Sequence, residues 1–314
     1  MNYRHAFHAG NFADLIKHAV LTHLLRDLAT DPAPLTVIDT HAGAGLYDLA
    51  GDPSRRTGEG EAGIARLMAD GAAPAAFGPL RACVRRCNAT GGARYYPGSP
   101  VIVAGALRPR DRYIACELRP DDASALKQVL SREQKRVAKS GNRFSQQNAR
   151  QNNESEPHLD EIETQQAPGA VVYAGDGWAH AAKVAPAAPA RLLVLIDPPF
   201  ERGDDYAQAA ALTASLLRVN RAAVIAIWAP IKDLATYDAF LGEIEDAAAP
   251  RPVLAAEVRL RPLTDPLRLN GCAMLVVNPP PGLEAGARAA ADWIAANLGE
   301  AGAEGRVSLL AGSG

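Results

Sequence analysis

Short apolar runs that end in turn residues alternate with longer helical patterns along most of this 314-residue chain. Such alternation is typical of a parallel sheet covered by helices. The apolar runs predict seven strands, at residues 35–40, 112–117, 171–174, 192–196, 223–228, 253–260 and 274–278. The predicted fold is therefore α/β with a seven-stranded, mostly parallel sheet, in which the last two runs form an antiparallel pair at one edge.

Each of the first four predicted strands ends in or is followed by a carboxylate, and these are Asp39, Glu117, Asp176 and Asp197. Open α/β sheets bind their ligands beyond the carboxyl ends of the parallel strands. We therefore expect the functional site on this rim of the sheet.

Two stretches interrupt the alternation. About 70 residues separate the first two strands, which is more than one crossover helix requires, and helical patterns at residues 60–68 and 79–87 predict a small helical subdomain there. Residues 131–169 are rich in Gln, Asn, Glu and Arg and predict a mobile insertion, because they bury too little to offset their ordering entropy. The predicted division is an N-terminal lid with the first strand and turn (1–48), the helical subdomain (49–100) and the remainder of the main domain (101–314).

Composition excludes several classes of protein. The net charge of -2 and pI near 6.4 give no global basic excess, so that any nucleic-acid binding requires a local patch. Cys83 and Cys87 have no partner pair at zinc-ribbon spacing, and we expect no metal site. No window approaches the roughly 20 apolar residues of a membrane span. A cytoplasmic location is expected.

The first strand leads into the turn Thr-His-Ala-Gly-Ala-Gly at residues 40–45. Its glycines permit a tight turn and close approach of a ligand to the backbone, and His41 lies inside it. A turn without a ligand remains an alternative. A dinucleotide site is another, although the full Gly-x-Gly-x-x-Gly spacing is absent.

Glu117 ends the second strand, where nucleoside-binding folds place a carboxylate that accepts hydrogen bonds from both ribose hydroxyls. Nicotinamide and S-adenosylmethionine sites share this feature. Asp176 and Gly177 follow the third strand, where the carboxylate is suited to an exocyclic amine of a cofactor. An exposed strand-end acid and an ordinary Asp-Gly turn are the alternatives.

The most informative motif is Asp-Pro-Pro-Phe at residues 197–200, after a buried strand. Two prolines make the loop rigid and free its carbonyls for a ligand. Asp197 and a backbone carbonyl would accept both N–H bonds of an adenine N6 and favour the pyramidal nitrogen that attacks a methyl group. Phe200 would stack on the extruded base. A strand-terminating turn without function is the alternative.

The N-terminal segment is dense in polar side chains, among them Tyr3, His5, Lys17 and His18. It is interpreted as a lid or first helix across the cofactor, with a solvated N-terminal helix as the alternative.

At these positions the chain resembles the bacterial 23S ribosomal RNA adenine-N6 methyltransferases. The N-terminal run Tyr-Arg-His-x-Phe-His-Ala-Gly-Asn at residues 3–11 is more specific than the Asp-Pro-Pro motif, which many DNA and RNA amino-methyltransferases share. The other matching positions are 14, 17–18, 39–45, 56–59, 94–100, 117, 176–177 and 196–200.

The resemblance implies a Rossmann-like class I methyltransferase that uses S-adenosylmethionine, releases S-adenosylhomocysteine and needs no metal. Its implied substrate is one 23S rRNA adenine, at position 2030, in protein-free rRNA or an early assembly intermediate, and the enzyme would act as a monomer. Asp197 becomes the catalytic residue and also contacts the cofactor, while Tyr3 and Phe200 bind substrate. The remaining implied cofactor-binding residues are Lys17, His18, His41, Ser99, Glu117, Asp176 and Gly177.

Two features depart from the family pattern: Phe200 stands where relatives have Tyr, and the polar stretch at 131–169 is long. Three other functions are alternatives. A DNA adenine-N6 methyltransferase is compatible with the Asp-Pro-Pro-Phe motif, whereas a non-catalytic RNA-binding protein would not need the full set of cofactor-facing residues. A nicotinamide dehydrogenase has no use for the motif.

Overall fold

The computed structural model describes residues 5–149, 169–188 and 191–310. The strands in these residues are β1 (Leu35–Asp39), β2 (Leu46–Asp48), β3 (Tyr95–Pro97), β4 (Arg112–Glu117), β5 (Gly169–Ala174), β6 (Arg191–Ile196), β7 (Val224–Ile231), β8 (Val253–Arg259), β9 (Gly271–Val277) and β10 (Glu304–Leu310). The α-helices are α1 (Phe12–Leu28), α2 (Asp52–Thr57), α3 (Arg66–Ala69), α4 (Gly78–Cys87), α5 (Ser99–Ala106), α6 (Pro120–Ala149), α7 (Gly177–Val184), α8 (Asp205–Val219), α9 (Leu234–Ala248) and α10 (Leu283–Leu298).

Eight strands form one sheet in the order β10-β8-β9-β7-β6-β1-β4-β5. The five strands from β7 to β5 are parallel, and β9, β8 and β10 add antiparallel pairings beyond β7. Neighbouring residues of a strand point to opposite faces, so Val37 and Leu193 belong to one apolar core and Ile38 and Val194 to the other. The sheet is thus buried on both faces, which explains its continuous apolar runs.

The α/β class and the mostly parallel sheet are confirmed, and the strand count is corrected from seven to eight. The additional strand is β10, which pairs with β8 and has only one buried residue, Val307. Strands β8 and β9 are antiparallel as predicted, but β10 covers the outer side of β8, so this pair does not form the edge. A separate two-stranded sheet of β2 and β3 was not predicted.

The long connection between β1 and β4 contains helices where the sequence indicated them, including a π-helical turn, Glu61–Ala65, that continues into α3, and the helix α4. The first part of the predicted mobile insertion belongs to α6, which extends to Ala149. Residues 150–168 lie outside the described residues, so the predicted mobility of the insertion and the proposed domain limits stay predictions.

Helix α1 is buried along most of its length. The side chain of Asn11 caps it by accepting hydrogen bonds from the backbone N–H groups of Ala13 and Asp14. Polar residues such as Lys17 and His18 are also buried, and α1 packs against α10 and β9. The alternative of a solvated N-terminal helix is therefore wrong, because ion pairs and hydrogen bonds offset the burial of these polar groups.

None of the helices in the described ranges combines the length and the apolar character that crossing a membrane requires.

Candidate active site

A cavity of about 1300 Å³ opens at the carboxyl ends of the parallel strands, on the predicted rim. Tyr3 lies outside the described residues. The other predicted site residues all line this cavity: Lys17, His18, His41, Ser99, Glu117, Asp176, Gly177, Asp197 and Phe200. Residues after β1, β4 and β5 form one end, which we call the cofactor end. Residues of α1, of the loop after β6 and of the β8–β9 connection form the other, the acceptor end.

Glu117 is held by the backbone at the cofactor end. Gly43 N–H donates to its Oε2 at 2.9 Å, and Arg119 N–H donates to its Oε1 at 2.7 Å. Gly43 has φ +65°, and a Cβ there would lie 2.3 Å from the Tyr47 hydroxyl, so the turn requires glycine. Burial raises the pKa of Glu117. Each carboxylate oxygen has further lone pairs, which suits a ligand with two adjacent hydroxyl groups.

Asp176 and Gly177 begin α7 beside the same turn. Asp176 Oδ1 accepts from the Trp178 N–H at 2.9 Å and so caps the helix. A Cβ on Gly177 would lie 1.9 Å from the Thr40 carbonyl oxygen, so this close approach requires glycine. The Trp178 ring packs edge-on against His41, with 4.8 Å between centroids. Sequence reasoning did not identify Trp178, because a lone tryptophan in a helical pattern usually signals core.

Asp39 accepts hydrogen bonds from two residues that line the cofactor end, Ser99 and His41. Its Oδ2 accepts hydrogen bonds from the Ser99 hydroxyl at 2.7 Å and the Tyr113 hydroxyl at 3.1 Å, and its Oδ1 accepts from the His41 N–H. Burial raises the pKa of Asp39 to about 6. The sequence identifies Asp39 as a strand-end acid within the family-like run at residues 39–45, and its structural role is to orient Ser99 and the turn.

His18 lines the cavity and contains a buried polar atom that is unsatisfied. A 2.7 Å hydrogen bond joins its Nδ1 to the Tyr96 hydroxyl, while its buried Nε2 has no hydrogen-bond partner among the described residues. Burial lowers the pKa of His18 to about 3, so the ring is neutral at pH 7. A buried polar atom without a partner is costly, and a polar ligand group at this position would satisfy it.

A buried ion-pair network defines the acceptor end. Lys17 Nζ donates to Asp197 Oδ2 at 2.7 Å and lies 2.9 Å from Asp14 Oδ1. Asp14 Oδ2 in turn accepts from Gly10 N–H and lies 3.1 Å from His5 Nε2. Burial lowers the pKa of Lys17, but the two carboxylates outweigh it and raise that pKa well above its usual value. Lys17 is therefore a fixed cation beside Asp197.

One of the two carboxylate oxygens of Asp197 is available as a hydrogen-bond acceptor. Its Oδ2 is engaged by Lys17, and no hydrogen bond within the described residues involves Oδ1. Burial raises the pKa of Asp197, and the Lys17 cation opposes this rise. The two prolines that follow fix the backbone direction as the chain leaves β6.

Phe200 packs into an aromatic cluster. It has φ +47°, which is unusual for a bulky residue and typical of backbone over-determined by its surroundings. Its ring centroid lies 4.6 Å from that of Tyr206 and 6.0 Å from those of Trp228 and Phe240. Only 7% of Phe200 is exposed, so a small part of it reaches the cavity. Its predicted stacking on a base stays a prediction.

Within the described ranges, no three His, Cys, Asp or Glu residues group as possible ligands of a metal ion.

Comparison with known proteins places the chain in a family. The family model described as "Ribosomal RNA large subunit methyltransferase D, RlmJ" matches residues 32–159 and 153–310. The chain is 30% identical to ribosomal RNA large subunit methyltransferase J of Escherichia coli, over 96% of this chain and 95% of that protein. It is 31% identical to the Haemophilus influenzae protein of the same name, over 90% and 89% of the two chains.

Among solved structures, protein LPL1258 of Legionella pneumophila is similar along its whole length. The TM-score is 0.78, the sequence identity is 25%, and the match covers 98% of this chain and 99% of that one. The family model and the two curated relatives show that this chain belongs to the RlmJ family of ribosomal RNA large subunit methyltransferases.

Proposed function

We propose that this protein transfers a methyl group from S-adenosylmethionine to the N6 amino group of one adenine in 23S rRNA. The observation that carries the proposal is the acceptor carboxylate of Asp197, with Oδ2 engaged by Lys17 and Oδ1 uncommitted, in a cavity that continues to Glu117. The names of the curated relatives support the substrate class.

The cofactor end fits the donor that this reaction needs. Glu117 has acceptor capacity for two ribose hydroxyls, and the turn around Gly43 allows close backbone approach. The polar residues His18 and Ser99 line the same cavity. When bound there, S-adenosylmethionine supplies an electrophilic methyl group on a sulfonium.

At the acceptor end, Asp197 performs two tasks in this proposal. Its Oδ1 accepts one N6–H of the adenine, and a carbonyl of the rigid loop accepts the other, so that the nitrogen lone pair is localised toward the methyl group. The C–N bond forms as the S–C bond breaks, and the proton that N6 then loses can pass to Asp197, whose pKa burial raises. Lys17 keeps Asp197 ionised beforehand. Positioning of the two reactants supplies much of the rate.

We further propose that the enzyme acts in the cytoplasm as a monomer, on protein-free rRNA or an early assembly intermediate. The test is transfer of labelled methyl groups to purified, unmodified 23S rRNA, to ribosomal subunits and to adenine-containing duplex DNA, followed by mapping of the modified nucleotide. One N6-methyladenine in naked rRNA, at position 2030 or elsewhere, is the expected product.

Asp197→Ala should abolish labelling while calorimetry still detects cofactor binding. Asp238→Ala is the matched control, because Asp238 is an exposed carboxylate on α9 away from the cavity. Labelling of DNA alone would identify the protein as a DNA methyltransferase instead. Cofactor binding without any labelling would refute the proposed substrate.

A further inference from the structure

Leu267 is the most exposed large hydrophobic residue in the described parts of the chain, with 93% of its surface accessible. Single exposed leucines are common on protein surfaces. Leu267, however, lies in the connection between β8 and β9 and lines the same cavity as Asp197. The exposed side chain is therefore at the entrance to the acceptor end.

Local hydrogen bonds anchor the loop around Leu267. Asp265 Oδ1 accepts from the Leu267 N–H at 3.0 Å, and the Asp265 carbonyl accepts from the Arg268 N–H at 3.2 Å. The buried Asn270 side chain donates to the carbonyls of Asp265 and Lys232, both at 2.8 Å. This loop is thereby tied to the residue that follows β7, and Leu267 is presented outward from an anchored turn.

Two cations accompany Leu267 at the cavity. Arg268 and Lys232 both line it, and neither has an ion pair within the described residues. The neighbouring Arg202 and Arg261 are engaged by Asp204 and Glu300 respectively. In a chain with a net charge of -2, this local pair of uncommitted cations fits an anionic partner.

We propose that the β8–β9 loop is an RNA-recognition element, in which Leu267 inserts beside the target adenine and Arg268 and Lys232 contact flanking phosphates. The inference rests on the proposed function. An adenine must leave its base stack before its N6 can reach Asp197. Apolar side chains that enter base steps stabilise such unstacked states, and cations bind the adjoining backbone.

The test separates these two roles. Leu267→Ala should lower the single-turnover methylation rate at saturating rRNA by at least about 10-fold, because the unstacked state loses its apolar contact. Its RNA affinity should change little. Arg268→Ala should weaken RNA binding and reduce the slope of log affinity against log salt by about 1, the loss of one phosphate contact.

A second substrate tests whether Leu267 acts by inserting beside the target adenine. In an RNA fragment that carries the mapped adenine, an abasic nucleotide is placed beside that adenine, so that there is less stacking to break. The Leu267→Ala defect should shrink on this RNA, whereas an indirect effect on the active site would persist on both RNAs.

Leu309→Ala and Arg218→Ala are the matched controls, since both residues are exposed and neither lines the cavity. Wild-type rates for Leu267→Ala on both RNAs, with unchanged RNA binding by Arg268→Ala, would overturn the loop's role while the proposed function stands. If the wild-type protein binds cofactor but labels no rRNA, the proposed function fails, and this inference fails with it.

Discussion

Lys17 Nζ lies 2.7 Å from Asp197 Oδ2, within a network that removes both groups from water. A neighbouring cation favours the ionised carboxylate, so the loss of Lys17 raises the pKa of Asp197. Because ionised Asp197 is needed to accept the N6–H, the acidic limb of the rate–pH profile should move to higher pH in Lys17→Met, by about 1 unit or more. Single-turnover methylation across the acidic and neutral range measures this.

Lys183→Met is the control for the loss of one positive charge, since Lys183 is exposed on α7. The control should keep the wild-type profile. An unmoved acidic limb in Lys17→Met would show that Asp197 ionisation does not depend on this ion pair.

Glu117→Gln should weaken cofactor binding by at least about 10-fold, because a hydrogen bond to a charged acceptor contributes about 1.5–3 kcal/mol. The substitution keeps the shape of the side chain but removes its charge and one acceptor. Calorimetry with S-adenosylmethionine measures the change. Asp121→Asn removes an exposed carboxylate from α6 and should bind normally. Equal affinities for the two variants would remove Glu117 from the cofactor site.

Gly177→Ala should destabilise the fold, because its Cβ would meet the Thr40 carbonyl oxygen at 1.9 Å. Overpacking of this kind costs about 1–3 kcal/mol of unfolding free energy. Gly242→Ala in α9 is the comparison, since a Cβ there has nothing within 4 Å and should stabilise the helix by about 0.5–1 kcal/mol. Denaturant unfolding measures the change in unfolding free energy for both variants. A Gly177→Ala variant as stable as the wild type would show that α7 can move away from the turn after β1.

His18 should make the folded state sensitive to acid. Its pKa falls from about 6.5 to about 3 on folding, so below its ordinary pKa the unfolded chain binds a proton that the folded protein excludes. The stability that neutral His18 contributes is present above pH 6.5 and is lost as the pH falls toward 3. The loss is at most about 1.4 kcal/mol per pH unit.

His18→Asn should therefore flatten the dependence of unfolding free energy on pH in this acidic window. His8 provides a control of opposite sign, because the hydrogen bond with Glu59 raises the pKa of His8. The stability that protonated His8 contributes is fully present below pH 6.5 and is lost as the pH rises above it, so His8→Gln should remove this change above pH 6.5 and leave the slope below pH 6.5 as in the wild type. A wild-type slope below pH 6.5 in His18→Asn would contradict the assignment of His18, and a wild-type slope above pH 6.5 in His8→Gln would contradict that of His8.

The chemistry-bearing ends of the parallel strands were predictable because apolar runs and turn residues are local signals. Strand β10 escaped prediction because its sequence, Glu-Gly-Arg-Val-Ser-Leu-Leu, contributes one buried side chain and depends on β8 for pairing. The buried network around Lys17 was equally hidden. Charged residues normally predict solvent-exposed positions. Here they are buried because they pair with residues that lie far away in the sequence.

The same limit applies at single positions. Asp197 was predicted as an acceptor from its motif, but the pairing with Lys17 joins two distant segments and has no local signature. Similarly, the motif suggested that the Phe200 ring is exposed for stacking, whereas its packing against Tyr206, Trp228 and Phe240 leaves little of it exposed. Tertiary packing, which no short window records, decided both outcomes.

The packing of α1 against α10 has a consequence for how the enzyme matures. Gly286 of α10 lies so close to the His23 ring that an added Cβ would stand 2.6 Å from it, although most of the chain separates the two residues. Contacts of such high sequence separation slow folding, because a long loop must close first. During synthesis, the interface between α1 and α10 therefore cannot form until α10 has left the ribosome. Helix α1 therefore gains this interface only after translation has passed every strand of the large sheet except β10.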